Sequence, residues 1–278
     1  MHHPAHQPSI EIFVVDNASS DGSAQMVKER FPWVHLIENA ENLGFARANN
    51  QAIDLANGKY VLLLNSDTEV HPGAFAALIA FMEKTPKAGA AGAHLLNGDR
   101  TLQPACQPML TPWREFVRLL FLDRFFHVAT YSASWWATDE PRQTEVIKGA
   151  CLMLRHTALE EVGSLDSSYF MYTEEVDLCY RLGKAGWQLW WVPAAKVTHY
   201  GEGSSSQVAQ AMYVQLYRSK IQFYRKYGGD RRAVLFKRLL RVAYWPRLAA
   251  VSLFALLSPA LSAKARIYRD LLTQLPTL

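Results

Sequence analysis

Cysteine is scarce in this chain. Its 278 residues hold three, Cys106, Cys151 and Cys179, odd in number and far apart. That excludes a disulfide framework and a clustered-thiol zinc site, and it points to a reducing compartment with all three as small core residues. No apolar run reaches the ~20 residues needed to span a bilayer; the longest candidate, residues 249–263, is shorter and carries Pro259. The opening stretch has neither a basic nor an apolar signal region, so no secretory leader is expected. Residues 1–9, with His2, His3 and His6, are expected to be a disordered start. No Gly-x-Gly-x-x-Gly follows the first apolar run, which argues against a Rossmann-type oxidoreductase.

Half the residues are hydrophobic, enough for a sizeable core. The net charge of +4 is unevenly spread. Residues 218–278 carry 13 lysines or arginines against two acids, a net +11, which leaves −7 for residues 1–217. The basic end suits an anionic membrane face. Its long apolar run argues against nucleic acid as the partner. Basic residues flank that run on both sides, the pattern of an interfacial or re-entrant helix; a helical hairpin packed on the main domain is the alternative.

Apolar, β-branched stretches at 10–15, 34–38 and 60–64 read as strands, and residues 46–56 and 72–84 as helices. Further strands are expected at 88–95, 146–155, 187–192 and 196–199, and helices at 156–162, 175–185 and 206–227. The alternation predicts an α/β fold with a mainly parallel sheet and flanking helices. Residues 98–145 are rich in aromatics and proline with little periodicity, and read as loops and short helices.

The chemistry concentrates in two acidic places. Glu174, Glu175 and Asp177 sit in the aromatic stretch 170–178. Carboxylates crowded in an apolar setting have at least one pKa pushed upward, as a general base near neutral pH requires. Asn65-Ser66-Asp67 ends the apolar run 60–64, a usual place for a metal or phosphate ligand. Trp187, Trp190 and Trp191 read as core residues, with a sugar-stacking platform as the alternative.

Six motifs then appear in order: Val14 to Ser23 with Asp16-Asn17-Ala18-Ser19-Ser20-Asp21-Gly22, Asn42-Leu43-Gly44-Phe45-Ala46-Arg47, Asn65-Ser66-Asp67, Lys148-Gly149-Ala150-Cys151, Tyr172-Thr173-Glu174-Glu175-Val176-Asp177, and His199-Tyr200-Gly201-Glu202-Gly203. Over residues 10–227 the chain resembles the family 2 glycosyltransferases, most closely their rhamnosyltransferase-like bacterial branch.

The resemblance implies a GT-A fold over residues 10–227, with residues 228–278 as a basic, apolar helical segment. It implies inverting transfer of rhamnose or another hexose from a dTDP- or UDP-sugar to a cell-envelope glycan or lipid-linked acceptor. Glu175 matches the catalytic base, and Glu174 and Asp177 fall where they would shape the acceptor pocket. Asp16, Gly44, Arg47 and Asn65 match nucleotide-contacting positions. Asp67 and His199 match the ligands of a Mn²⁺ or Mg²⁺ ion, with Asn65 in place of the first acid of an Asp-x-Asp. The enzyme is expected in the cytoplasm, peripheral at the inner face of the membrane. Family members begin with a further strand and helix before the equivalent of Ile10. The expectation is therefore a chain lacking that strand, and the alternative function is an inactive nucleotide-sugar or glycan-binding relative.

Overall fold

The computed structural model describes residues 9–201, 209–255 and 258–278. The N-terminal histidines and the Glu202–Ser205 part of the glycine-rich turn lie outside them. The chain opens with β1 (Phe13–Asp16), α1 (Ser23–Arg30) and β2 (His35–Glu38). β1 and β2 form a parallel pair, registered from Phe13–His35 to Asp16–Glu38, which is a sheet of its own among the described residues. Next come α2 (Phe45–Ile53), β3 (Tyr60–Leu64), β4 (Thr68–Val70), α3 (Ala74–Lys84) and β5 (Ala88–Leu96). The irregular middle holds β6 (Leu102–Gln103), β7 (Cys106–Gln107), α4 (Pro112–Leu119), α5 (Asp123–Phe126), α6 (Ala133–Trp136), β8 (Arg142–Thr144) and β9 (Val146–Ile147). Then follow β10 (Cys151–Arg155), α7 (His156–Val162), α8 (Glu174–Lys184), β11 (Gln188–His199), α9 (Ala209–Leu253) and α10 (Pro259–Gln274).

The α/β class with flanking helices is as expected, but the main sheet is mixed. Its order is β3-β10-β5-β11-β4, with β6 beside β5 and β8 beside β11. Only β5 and β11 run parallel there; β10 is antiparallel to both β3 and β5. The cause lies in the irregular middle. No helix carries the chain back across the sheet between β5 and β10. It stays at the end where β3 finishes, so Cys151 enters opposite Leu64 and runs the other way. The single strand expected at 146–155 is broken at Lys148-Gly149-Ala150, and the two expected at 187–199 are one strand with a register shift between Val192 and Lys196.

β5 reads AGAAGAHLL, and its small residues let neighbours come close. A Cβ on Gly92 would stand 2.3 Å from Ile147 Cγ2, and one on Gly89 2.7 Å from Trp187 Cβ. Buried Arg155 closes the end of β10: Nε donates to the Ala88 carbonyl at 2.9 Å, and Nη2 to those of Met82 (2.8 Å) and Thr85 (3.1 Å). That adds a second donor to carbonyls at the end of α3, which also accept the Thr85 and Ala88 amides. The three cysteines are buried and unpaired, and the tryptophans fall as core: Trp191 is fully buried, and Trp190 packs on Phe81.

α9 turns at Gly229 (φ 68°), and α10 packs back along it, with the Tyr268 ring 5.1 Å from that of Tyr244. Residues 249–263 are thus split between two helices of a hairpin. No helix among the described residues is long and apolar enough to cross a membrane. α4 is clamped to α9 by Glu115, almost wholly buried, which accepts from Lys220 Nζ at 2.5 Å and Arg118 Nη2 at 2.6 Å. Burial alone would raise the Glu115 pKa; the two cations more than offset it and hold it down.

Gly92→Ala should cost about 1–3 kcal/mol, because the fully buried Ile147 would have to shift to admit the Cβ. Gly183→Ala in α8, where a Cβ meets nothing within 4 Å, should instead stabilise by about 0.5–1 kcal/mol. Urea denaturation of both variants checks the contrast.

Candidate active site

The candidate residues lie at the C-terminal ends of β1, β3 and β11 and at the N-terminus of α8; Lys148-Gly149-Ala150 links two of these places, with the Asn65 amide donating to the Ala150 carbonyl at 3.1 Å and a Cβ on Gly149 falling 3.9 Å from Glu175 Cβ. α8 starts from two consecutive non-glycine residues in the left-handed region, Tyr172 (φ 66°) and Thr173 (φ 74°). Such backbone persists only where its surroundings over-determine it, and it clusters at functional sites. It sets Glu174 and Glu175 in the first turn of α8. Glu174 is buried and Glu175 half-buried by area, yet Oε2 of each is enclosed and without a hydrogen-bond partner. Burial raises the pKa of Glu174 well above the carboxylate range, and the charge of Glu175 adds to it. Burial also raises that of Glu175, against backbone amides at the start of α8 and the cation of Lys148.

Asp177 faces the other way. It has no exposed surface, and its carboxylate accepts from Arg181 Nε (2.8 Å), Lys226 Nζ (2.6 Å) and Tyr227 Oη (2.7 Å). That corrects its expected place in the acceptor pocket: a fully paired, enclosed carboxylate has no face to offer an acceptor. It ties α8 to α9 instead. Glu174 and Glu175 remain beside each other at the helix end.

The Asn42–Arg47 turn docks directly on the loop that leads into α8. The Phe45 amide donates to the Phe170 carbonyl at 2.8 Å. Gly44 has φ 83°, and a Cβ there would stand 2.3 Å from that same oxygen; the close approach that Gly44 permits is therefore Phe170's. Arg47 is exposed on α2 and donates from Nε to the Ser167 carbonyl at 3.3 Å. Asp16, at the end of β1, accepts from the Ser19 amide at 3.1 Å. Next to it Asn17 joins the two loops: its Nδ2 donates to Asn42 Oδ1 (2.9 Å), and its Oδ1 accepts from the Leu43 amide (3.0 Å).

Pairing of β4 with β11 sets Thr68 opposite His199 and so brings Asp67 and His199 together, Oδ1 to Nε2 at 3.2 Å. Asn65 Nδ2 is 3.3 Å from the same ring nitrogen. Gln103 settles the tautomer. Its Nε2 donates to the His199 carbonyl (3.0 Å), so its Oε1, 2.7 Å from Nδ1, accepts the proton carried there. Nε2 then turns its lone pair to Asn65 Nδ2 and lies beside an Asp67 oxygen, so imidazole and carboxylate sit together where a cation could draw on both. No three His, Cys, Asp or Glu side chains converge among the described residues. The donor set of one carboxylate, one imidazole and a neutral amide fits a divalent ion that keeps positions open for diphosphate oxygens and water.

Several contributors carried no assigned role in the sequence reading. Lys148, a lone charge next to Val146 and Ile147, is largely buried; burial lowers its pKa, and Glu175 opposes that change. A single cation at the end of an apolar stretch was the available signal. Gln103 and Asn17 had none, since each acts through a partner distant in sequence.

The family model for glycosyl transferase family 2 matches residues 5–137. An N-acetylglucosaminyl-diphospho-decaprenol L-rhamnosyltransferase of Mycobacterium tuberculosis is 32% identical over 212 residues, 71% of this chain and 69% of its own, with the same figures in a second strain. A low-salt glycan biosynthesis hexosyltransferase of Haloferax volcanii is 27% identical over 175 residues, 62% of this chain and 52% of its own. Among solved structures, that of GalNAc-T7 with UDP, GalNAc and Mn²⁺ is similar in fold, with a TM-score of 0.50 and 16% identity over 75% of this chain and 41% of the other. The mycobacterial likeness runs through more than two thirds of both chains; the protein belongs to glycosyl transferase family 2 and is a glycosyltransferase of GT-A fold.

Proposed function

We propose that this glycosyltransferase moves a deoxyhexose or hexose, rhamnose foremost, from a dTDP- or UDP-sugar to a lipid-linked or cell-envelope glycan acceptor, with inversion. The observation that carries the reading is Glu175, whose enclosed, unpartnered Oε2 and raised pKa suit a base awaiting a hydroxyl proton. The 32% identical relative is named for L-rhamnosyl transfer to an N-acetylglucosaminyl-diphospho-decaprenol acceptor, which supports the choice of sugar and of lipid-linked acceptor.

In this mechanism Glu175 takes the proton of the acceptor hydroxyl as its oxygen forms a bond to the anomeric carbon. The bond from that carbon to the diphosphate breaks on the opposite face, and the nucleoside diphosphate departs. Lys148 opposes the rise that burial imposes on the Glu175 pKa, and Glu174 borders the acceptor. Asp16 accepts the imide N–H of the base. Gly44 shapes the turn beside it, and Arg47 reaches the diphosphate by exchanging its bond to Ser167. Asp67 and His199, with Asn65, would hold a Mn²⁺ or Mg²⁺ ion, which when bound would supply positive charge for the leaving diphosphate. The basic C-terminal segment holds the enzyme at the cytoplasmic face of an anionic membrane, where a lipid-linked acceptor resides.

Nucleoside diphosphate release from a panel of dTDP-, UDP- and GDP-sugars, with Mn²⁺ or EDTA, tests the reading. One donor should be consumed, in the presence of metal; release from none, with acceptor supplied and nucleotide bound, would overturn it. Glu175→Gln should lower kcat by about 10²–10⁴ while nucleotide affinity stays within about twofold of wild type. The acid limb of the kcat/KM profile should lie above the ordinary carboxylate range, since the basic form is lost as pH falls through a raised pKa. Lys148→Met removes the opposing cation and should move that limb to higher pH; a limb that stays put would take Lys148 out of the mechanism.

A further inference from the structure

α5 is held so that its aromatics face solvent. Phe121, Phe125 and Phe126 are 65, 66 and 67% exposed, and Leu122 lies between them at 40%. Phe121 has φ 59° and His127 φ 46°, so left-handed residues bracket α5; for a bulky aromatic this is a costly conformation. Asp123 fastens the other face inward. It is buried and accepts from the Ala129 amide at 2.6 Å and from the Thr130 hydroxyl. The fold thus uses a buried carboxylate and strained backbone to keep three phenylalanines out of the core.

This ridge adjoins the C-terminal hairpin. Arg247 of α9 donates to the Leu119 carbonyl and lies 4.6 Å over the Phe121 ring. About 9 Å further along the helix axis, α9 ends in exposed Leu253 and Phe254. Ser262 bonds the Ala255 carbonyl at 2.6 Å, which brings the first turns of α10, with exposed Lys264, to the same end. Arg124 lies 4.8 Å over the Phe125 ring. One end of the molecule therefore combines exposed aromatic and aliphatic side chains with Arg124, Arg247 and Lys264. The acids of α4 and α5, Glu115 and Asp123, are both buried and bonded.

The geometry points to an anionic bilayer as the occupant of this end: the α5 ridge and the tip of α9 seat together in the interfacial layer, with the arginines and Lys264 at headgroup level. A second copy fits less well, since like charges would face one another with no acid of α4 or α5 free to answer them. The ridge follows α4, whose Arg118 bears on Lys148, itself facing Glu175. Seating this end would hold the base close to acceptors in the membrane. The inference rests on the transfer reading only for that last consequence; membrane contact through residues 121–126 is independent of it.

Flotation of the full chain with vesicles tests the inference, using phosphatidylcholine alone or with about one third phosphatidylglycerol. Wild type should float with the anionic vesicles, and Phe121→Ser/Phe125→Ser/Phe126→Ser and Leu253→Ser/Phe254→Ser should each lose about tenfold in partitioning. Trp33→Ser, an exposed aromatic elsewhere, should float as wild type. A ridge variant that floats like wild type would assign membrane contact to the C-terminal segment alone and overturn the inference, as would a wild type that does not float. Light scattering that shows the ridge variant splitting a dimer, with flotation unchanged, would give the surface to a second copy. Should the triple variant lose its circular dichroism signal, Phe125→Ser alone carries the test, with a loss of about threefold expected and no loss overturning. Nucleoside diphosphate release with a water-soluble acceptor, read on the same samples, separates the two proposals: no release beside ridge-dependent flotation sinks only the transfer reading.

Discussion

Two lysines of α9 hold the active site in place by neutralising carboxylates that could not otherwise be buried. Lys220 meets Glu115 of α4, and Lys226 meets Asp177 of α8 together with Asp166. A buried ion pair adds little net stability over an apolar one, but losing either partner leaves a stranded charge, so the pairs act as registration points. α8 is fixed by Asp177, and Glu174 and Glu175 each keep one unpartnered carboxylate oxygen at its N-terminus. Lys226 holds Asp166 down to about 2, with hydrogen bonds from Ser168 assisting against burial. The loop that leads into α8 is thereby kept ionised and fastened at any pH where the enzyme could work.

The arrangement separates two kinds of acid on one helix turn. Asp177 is saturated by donors and serves as a structural anion. Glu174 and Glu175 are enclosed with unmet hydrogen-bonding capacity, and burial raises both pKa values. The contrast follows from what stands beside each: Arg181, Lys226 and Tyr227 reach Asp177, while Oε2 of Glu174 and of Glu175 meets no donor. The Asp67–His199 pair works by a similar division. Gln103 meets one ring nitrogen and leaves the other to Asn65, beside a carboxylate.

Most helices and buried strands were legible because their periodicity is local. β3, β5, α3 and α7 fall within a residue or two of where apolar runs, caps and breakers put them. Strand direction was not legible. The antiparallel entry of β10 depends on how residues 97–150 stay at one end of the sheet, and aromatic-rich loops carry no period to reveal it. For the site, the acidic motifs marked Asp16, Asp67, Glu175 and His199 as chemistry-bearing. Arg181 stands at the i+4 position, but the two donors that complete the saturation of Asp177, Lys226 and Tyr227, lie on a helix some fifty positions later, so its spacing from Glu174 gave no warning that it is closed off. Gln103 fixes the His199 tautomer from a two-residue strand with no pattern at all.

The contact between Gly44 and Phe170 bears on how this sequence can change over time. A side chain at position 44 would displace the carbonyl of residue 170 and break its bond to the Phe45 amide, so the two loops would separate. Drift in the 42–47 turn and drift in the 170–175 loop are therefore not independent. A substitution in one is tolerated only on a backbone path that the other already allows, and exchange of either loop between relatives would have to carry its counterpart along.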